Sequence, residues 1–211
     1  MIIAISTRVT EAQNYSEKRN SISFDFVAYL EELGIVPLLI PNNLSDVNSY
    51  LSAFKVEGII LTGGNNVDPK KYNSLSLLPD VYPERDETET LLFKYAINKK
   101  IPILGVCRGF HFINIQLGGS LTNNINNHVN VKHKLLSLDF DYNHKVVNSY
   151  HNQGIKEIQL SSKLNCLALS EDKLIEAYRN TESKILGFQW HPERNHSDFD
   201  SKLIKNHFSI K

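Results

Sequence analysis

The chain has 211 residues, 41% of them hydrophobic, with 23 Lys+Arg against 23 Asp+Glu. That length suits one α/β domain spanning 1–211, and the balanced charge gives no global pull toward nucleic acid or an anionic membrane. Two cysteines, Cys107 and Cys166, argue against a disulfide framework, and no run reaches the ~20 apolar residues of a membrane span, so a reduced, cytoplasmic setting is expected.

Met1-Ile2-Ile3-Ala4-Ile5-Ser6 lacks the basic n-region and long apolar stretch of a secretory signal and reads as a buried first strand over 2–6. Ile22, Phe26, Val27, Leu30 and Leu33 recur at helical spacing, which predicts a helix over 21–33 stopped by Gly34. A second strand over 35–40 closes at Pro41. Ser45 is placed to cap a short helix running to Phe54, and 58–61 forms a third strand. A polar loop follows from Thr62 to about Pro83. Asp86 with Glu89 resembles a helix-starting pair, Arg85 is free to pair with one of them, and Leu91, Leu92, Tyr95 and Ala96 give that helix an apolar face.

Residues 101–106, apolar apart from Gly105, predict a strand covered on both faces, and the helix after Cys107 is expected to end at Gly118-Gly119. Beyond 120 the pattern changes to a turn-rich segment around Asn123–His128 and short strands at 146–147, 155–160, 174–178 and 185–190. A last helix is expected over 198–208. Strands alternating with amphipathic stretches predict an α/β fold with a mainly parallel central sheet and helices on both faces.

The chemistry concentrates in two places. Gly105-Val106-Cys107-Arg108-Gly109 has the glycine spacing of a sharp strand-to-helix turn, which lifts one side chain above the carboxyl end of a sheet, where open α/β folds bind ligands. The N-terminus of the next helix favours a thiolate there, and the Arg108 N–H is a natural donor to a developing oxyanion. Alone, this motif reads sooner as a small core cysteine beside a tight turn. Further on, Gly187-Phe188-Gln189-Trp190-His191-Pro192-Glu193 puts His191 and Glu193 two residues apart at a strand end, and so on one face. His191 can take the thiol proton and return it to a leaving amine, while Glu193 holds the other ring nitrogen. A solvated strand end is the bland reading of this motif. The two together point to cysteine-dependent acyl transfer.

Taken in order, these residues resemble the class I glutamine amidotransferase superfamily, especially its stand-alone γ-glutamyl hydrolase branch, peptidase family C26. Leu61-Thr62-Gly63-Gly64 with Val67, Pro69 and Tyr72 resembles the oxyanion loop of that branch, and Arg85-Asp86 with Glu89 its Arg-Asp-x-x-Glu helix start. The Cys107 strand and helix, Leu117 to Leu121, the loop Val147-Asn148-Ser149-Tyr150-His151-Asn152-Gln153, and the His191 strand complete the match. The resemblance implies a flavodoxin-like three-layer sandwich and a Cys107–His191–Glu193 triad. It also implies an oxyanion hole from Gly64 and Arg108, and substrate contacts from Gly63, His111, Ser149, Tyr150 and His151. The family shows Gln where this chain has His111, a change of reach and charge in the glutamyl pocket.

The implied reaction releases glutamate from a γ-glutamyl amide through a thioester. No metal or organic cofactor is expected, since there is no CxxC pair, no HExxH and no phosphate loop with Lys-Ser/Thr. Two partner readings stay open: a self-contained hydrolase, or a glutaminase subunit handing ammonia to a synthetase. Lys70 and Lys71 in the loop, with Arg108 and Arg194 beside the catalytic residues, are candidates to receive an anionic leaving group, including a nucleotide-linked one. Solvated surface lysines are the alternative. Cys166 reads as a small buried residue, Trp190 as facing away from His191, and His128, His133 and His144 as loop histidines without a ligand pattern.

Overall fold

The computed structural model describes residues 1–137, 142, 145–195 and 197–210; His144 lies outside them. In chain order the elements are β1 (Ile2–Ser6), β2 (Arg8–Glu11), β3 (Lys18–Ser21), α1 (Phe24–Glu32), β4 (Val36–Ile40), α2 (Val47–Ala53) and β5 (Gly58–Leu61). A 3₁₀ turn at Pro69–Tyr72 precedes α3 (Pro83–Lys99), β6 (Ile103–Val106) and α4 (Arg108–Gln116). Short pieces then accumulate: β7 (Thr122–Asn123), β8 (Val129–Lys134), β9 (Leu136–Ser137), β10 (Val146–Tyr150) and β11 (Gln153–Gly154). The chain closes through β12 (Asn165–Leu169), β13 (Ile175–Asn180), β14 (Ile185–Phe188) and α5 (Asp198–Phe208).

The main sheet runs β4-β1-β5-β6-β14-β13-β12-β9. Its first five strands are parallel, and β13, β12 and β9 extend it antiparallel. Side-chain alternation divides the core in two. Ala4, Ile59, Leu61 and Ile103 pack on one face with Leu51 of α2, Leu92 of α3 and Ile113 of α4. Ile3, Ile5, Ile60, Leu104 and Val106 pack on the other with Leu30 of α1 and Ile204 of α5. Helices therefore cover both faces, and the central parallel strands β5, β6 and β14, buried on each side, carry no polar side chain.

Several local expectations are corrected. α1 begins only at Phe24, because Ser23 Oγ accepts from the Phe26 N–H and the residues before it pair as the β2–β3 hairpin. Asp46, not Ser45, caps α2, its Oδ1 accepting from the Ser49 N–H at 3.0 Å. α3 starts at Pro83, so Asp86 and Glu89 lie inside it as buried side chains rather than as caps. The expected strand over 155–160 is a single bridge from Ile155 to Ile175 followed by a 3₁₀ turn, Glu157–Gln159.

The parallel arrangement positions the site. β1, β5, β6 and β14 all end on the same edge, so Thr62, Cys107 and Gln189, each just past its strand, meet there.

Candidate active site

Cys107 stands between β6 and α4 with φ 52° and ψ −103°, a conformation unusual for a residue carrying a Cβ. Such strain costs of order 1–3 kcal/mol and persists only where the surroundings hold it. Here the Cys107 N–H donates to the Phe188 carbonyl at 2.8 Å, and the Cys107 carbonyl accepts from the His111 N–H at 3.1 Å. The two flanking glycines are steric necessities. A Cβ on Gly109 would sit 2.0 Å from the Leu61 carbonyl oxygen, and one on Gly105 would meet the Gly109 backbone at 2.6 Å. The turn can be this tight only because α4 starts directly against β5 and β6.

His191 follows β14, and its ring reaches the same point. A Cβ on Gly63 would fall 2.8 Å from His191 Cε1 and 3.4 Å from Cys107 Cβ, so ring and thiol both lie against that glycine. His191 Nδ1 donates to Glu193 Oε1 at 2.6 Å, which leaves Nε2 for the sulfur. Burial works against a charged imidazole here. The charge of and hydrogen bond to Cys107, with the carboxylate of Glu193, outweigh it and raise the His191 pKa to about 10. The backbone of His191 is held in turn by Asn148, whose Oδ1 accepts from the His191 N–H at 2.9 Å and whose Nδ2 donates to the carbonyls of His191 and Arg194. Tyr150 packs edge-on against the His191 ring, and Arg194 stacks over Tyr150 at 4.6 Å. Trp190 points away, its Nε1 donating to Asp200.

Beneath the loop after β5 lies a group of buried charges. Arg85 donates to the carbonyls of Thr62 at 2.8 Å, Gly63 at 3.0 Å and Gly64 at 2.5 Å, and to Glu89 at 2.9 Å. The Arg108 guanidinium pairs with Asp86 and Glu89, and Ser6 Oγ donates to Glu89 at 2.9 Å. Burial alone would raise the Glu89 pKa, but Arg108 and Arg85 bring it below its ordinary value; Asp86 stays raised by burial. The i,i+4 spacing of Arg85 and Glu89 was the sequence signal for this pairing. The Arg108 side chain is thus engaged and buried, which corrects its reading as a cation facing a leaving group. Its backbone N–H, in the first turn of α4, has no acceptor within the helix.

A cavity of about 230 Å³ opens above Cys107. Of the residues singled out in the sequence, Gly63, Gly64, His111, Tyr150, His151 and Gln153 line it with the catalytic candidates. Ser149 does not, because its Oγ is buried and donates to the His128 carbonyl at 2.6 Å. Lys70 and Lys71 are exposed on the 3₁₀ turn outside the lining; Arg108 lines the cavity with its guanidinium already paired to Asp86 and Glu89, which leaves Arg194 and Arg8, whose Cδ packs beside Gly64, as the lining cations without that pairing. Arg8 was not legible, since it sits in a short polar strand without alternation. His111 shares a 2.6 Å hydrogen bond with Gln189 Oε1, and burial takes its pKa down to about 4, so it serves the pocket as a neutral ring. His128 and His133 are not isolated loop histidines: they pack with His151 around Glu176. Cys166 is half-buried, and its thiol pKa is pushed up to about 11 by burial, which disfavours the thiolate form. Among the described residues, no helix is long and apolar enough to cross a membrane.

The peptidase C26 family model matches residues 1–142 and 133–193. The γ-glutamyl-CDP-amidate hydrolase of Campylobacter jejuni is 28% identical over 211 residues, covering 100% of this chain and 98% of that protein. The γ-glutamyl-γ-aminobutyrate hydrolase PuuD of Escherichia coli is 30% identical over 194 residues, covering 79% of this chain and 76% of that protein. A crystal structure of a Thermotoga maritima glutamine amidotransferase superposes with a TM-score of 0.63 at 15% identity, covering 99% of this chain and 81% of that chain, a likeness of fold.

Proposed function

The chain belongs to the peptidase C26 family, and from that premise we propose that it is a cysteine-dependent hydrolase of γ-glutamyl amides. The observation that carries the reading is the contact of Cys107, on its strained turn, with an imidazole backed by Glu193. The Cys107 sulfur attacks the γ-carbonyl carbon, and the carbonyl electron pair moves onto oxygen. That oxyanion rests on the backbone N–H groups of Gly64 and Arg108, each such donor being worth roughly 10²–10³ in rate. As the intermediate collapses, the protonated His191 gives its proton to the leaving nitrogen, and a γ-glutamyl thioester remains. His191, now neutral, deprotonates water, which attacks the thioester carbon and frees glutamate and the sulfur. Glu193 is a positioning residue that keeps the ring in the required tautomer. His111 and Tyr150 contact the glutamyl group, and His151 helps to wall the same cavity.

For the amine half, we infer a leaving group bearing negative charge. A cavity of about 230 Å³ is smaller than the ~300–1,000 Å³ of typical ligand sites, so it suits the glutamyl portion and leaves the remainder at the mouth, beside Arg8 and Arg194. The end-to-end alignment with the Campylobacter relative favours γ-glutamyl-CDP-amidate, which would yield cytidine diphosphoramidate and glutamate; a γ-aminobutyrate amide would present a carboxylate to the same arginines.

The test is glutamate release from γ-glutamyl-CDP-amidate, γ-glutamyl-γ-aminobutyrate, folate-type polyglutamate and glutamine, for the native chain and for Cys107→Ser. Turnover of a γ-glutamyl amide by the native chain and its loss in Cys107→Ser is the expected result. Glutamate release only after a synthetase is added would replace this reading with that of an ammonia-supplying subunit.

A further inference from the structure

Away from the sulfur chemistry, on the far side of the loop that carries His151, three imidazoles and one carboxylate converge. His128 precedes β8, His133 lies on it, His151 sits between β10 and β11, and Glu176 projects from β13. His128, His151 and Glu176 are all buried, and their nearest ligand atoms lie within 4.8 Å of one another. His133 Nε2 is 3.3 Å from Glu176 Oε2, and His151 Nε2 is 3.8 Å from Glu176 Oε1. None of the atoms facing the centre of this group makes a well-formed hydrogen bond: His128 Nδ1, His133 Nε2, His151 Nε2 and both Glu176 oxygens are buried, and the Glu176 carboxylate is met by His133 and His151 at ion-pair distance. Folded proteins rarely leave even one such atom unsatisfied, and here five point at a common space.

The outward-facing nitrogens are, by contrast, engaged. His128 Nε2 donates to Asp172 Oδ2 at 3.0 Å, and His151 Nδ1 donates to the Gln153 carbonyl at 2.7 Å. Each bond fixes the tautomer that turns a lone pair inward, which is how carboxylates and carbonyls orient imidazole ligands around a metal ion. The ring centroid of His128 lies 5.0 Å from that of His133 and 4.9 Å from that of His151, both close to the ~5 Å expected of imidazoles sharing a tetrahedral Zn²⁺ at ~2.1 Å, while His133 and His151, 6.4 Å apart, would draw together on binding.

We propose that His128, His133, His151 and Glu176 form a closed structural site for a divalent transition-metal ion, Zn²⁺ by its ligand set. Three neutral imidazoles and one carboxylate match zinc's borderline character and its preference for four protein ligands at structural sites. A hard ion such as Mg²⁺ would want oxygens and water instead. The bound ion ties β8 and the cavity-lining loop to β13, so its role is to hold His151 and Gln153 in place. The cysteine does the chemistry without it.

The experiment uses the full chain, native and Cys107→Ser, so that the active-site thiol cannot account for the metal. Each is stripped with a chelator and titrated with Zn²⁺, with bound metal measured by elemental analysis and stability by thermal unfolding. Co²⁺ then substitutes as a spectroscopic probe. The expected result is one equivalent of Zn²⁺ in both, a rise in Tm of roughly 5–10 °C on binding, and a visible Co²⁺ spectrum of a four-coordinate site. Glu176→Gln, which keeps the shape and removes the charge, and His133→Ala, at the more exposed ligand, should each lose the spectrum while circular dichroism shows the fold retained. No bound metal in the native chain overturns the proposal. So does metal that disappears with Cys107→Ser, or that persists in both Glu176→Gln and His133→Ala.

Discussion

Arg85 Nη2 donates to the carbonyl of Gly63 at 3.0 Å. Because a trans peptide sets C=O and the following N–H in opposite directions, this bond turns the Gly64 N–H away from Arg85. The buried guanidinium fixes the loop's amide orientation while remaining out of reach of substrate. Arg85→Lys, which keeps a charge but cannot span three carbonyls, is expected to lower kcat by roughly 10²–10³ with KM little altered. Steady-state kinetics alongside circular dichroism checks this; an unchanged kcat in a folded variant would remove Arg85 from the oxyanion argument.

Glu193→Gln replaces the charged acceptor of the 2.6 Å bond to His191 Nδ1 with a neutral amide that can also present a donor, and removes one source of the raised imidazole pKa of about 10. We expect kcat to fall by roughly 10²–10⁴, as when a ring is held in the wrong tautomer. The sign of the pH effect is set. A negative partner raises an imidazole pKa, so its loss shifts the alkaline limb of kcat/KM to lower pH. A pH–rate profile with the limb unmoved would mean that Glu193 does not act through His191.

Arg8 lines the cavity, whereas Lys70 and Lys71 stand outside it. Arg8→Ala should raise KM for a γ-glutamyl amide with an anionic leaving group about tenfold or more, and change glutamine turnover little. The pair Lys70→Ala and Lys71→Ala should affect neither. Equal KM changes for the charged and neutral substrates in Arg8→Ala would dissociate Arg8 from the leaving group.

His111 is buried as a neutral ring, its pKa brought down to about 4 by burial and the nearby Arg108 charge, against the raising effect of its bond to Gln189. The unfolded chain takes up this proton near pH ~6.5, so between ~6.5 and ~4 the unfolded state binds more protons and stability falls with falling pH by up to about 1.4 kcal/mol per pH unit. His111→Gln, which does not titrate, should flatten that dependence by one proton. Denaturant unfolding of both proteins across this range measures the slopes directly, and equal slopes would contradict a buried neutral His111.

How much was readable in advance depends on the range of the interaction. The strand at 58–61 and the tight turn at Cys107 follow from neighbours in the chain: an apolar run, and glycines two residues either side of the thiol. His191 and Glu193 are equally local, two positions apart on one strand end. By itself, then, the sequence determined the parallel core and the pieces of the thiol–imidazole–carboxylate set, because steric and periodic constraints act over a few residues.

Tertiary structure decided which polar residues are buried and what they meet. Asp86 and Glu89 look like helix caps until Arg108 is brought against them from another helix, and Asn148 gains its role only when β10 lies beside the end of β14. Arg8 becomes part of the site because a short hairpin folds over Gly64, and His128, His133, His151 and Glu176 become one cluster only where β8, β10 and β13 come together. The energy of a buried charge or an unpaired lone pair depends on every group within a few ångströms, and those groups come from distant parts of the chain.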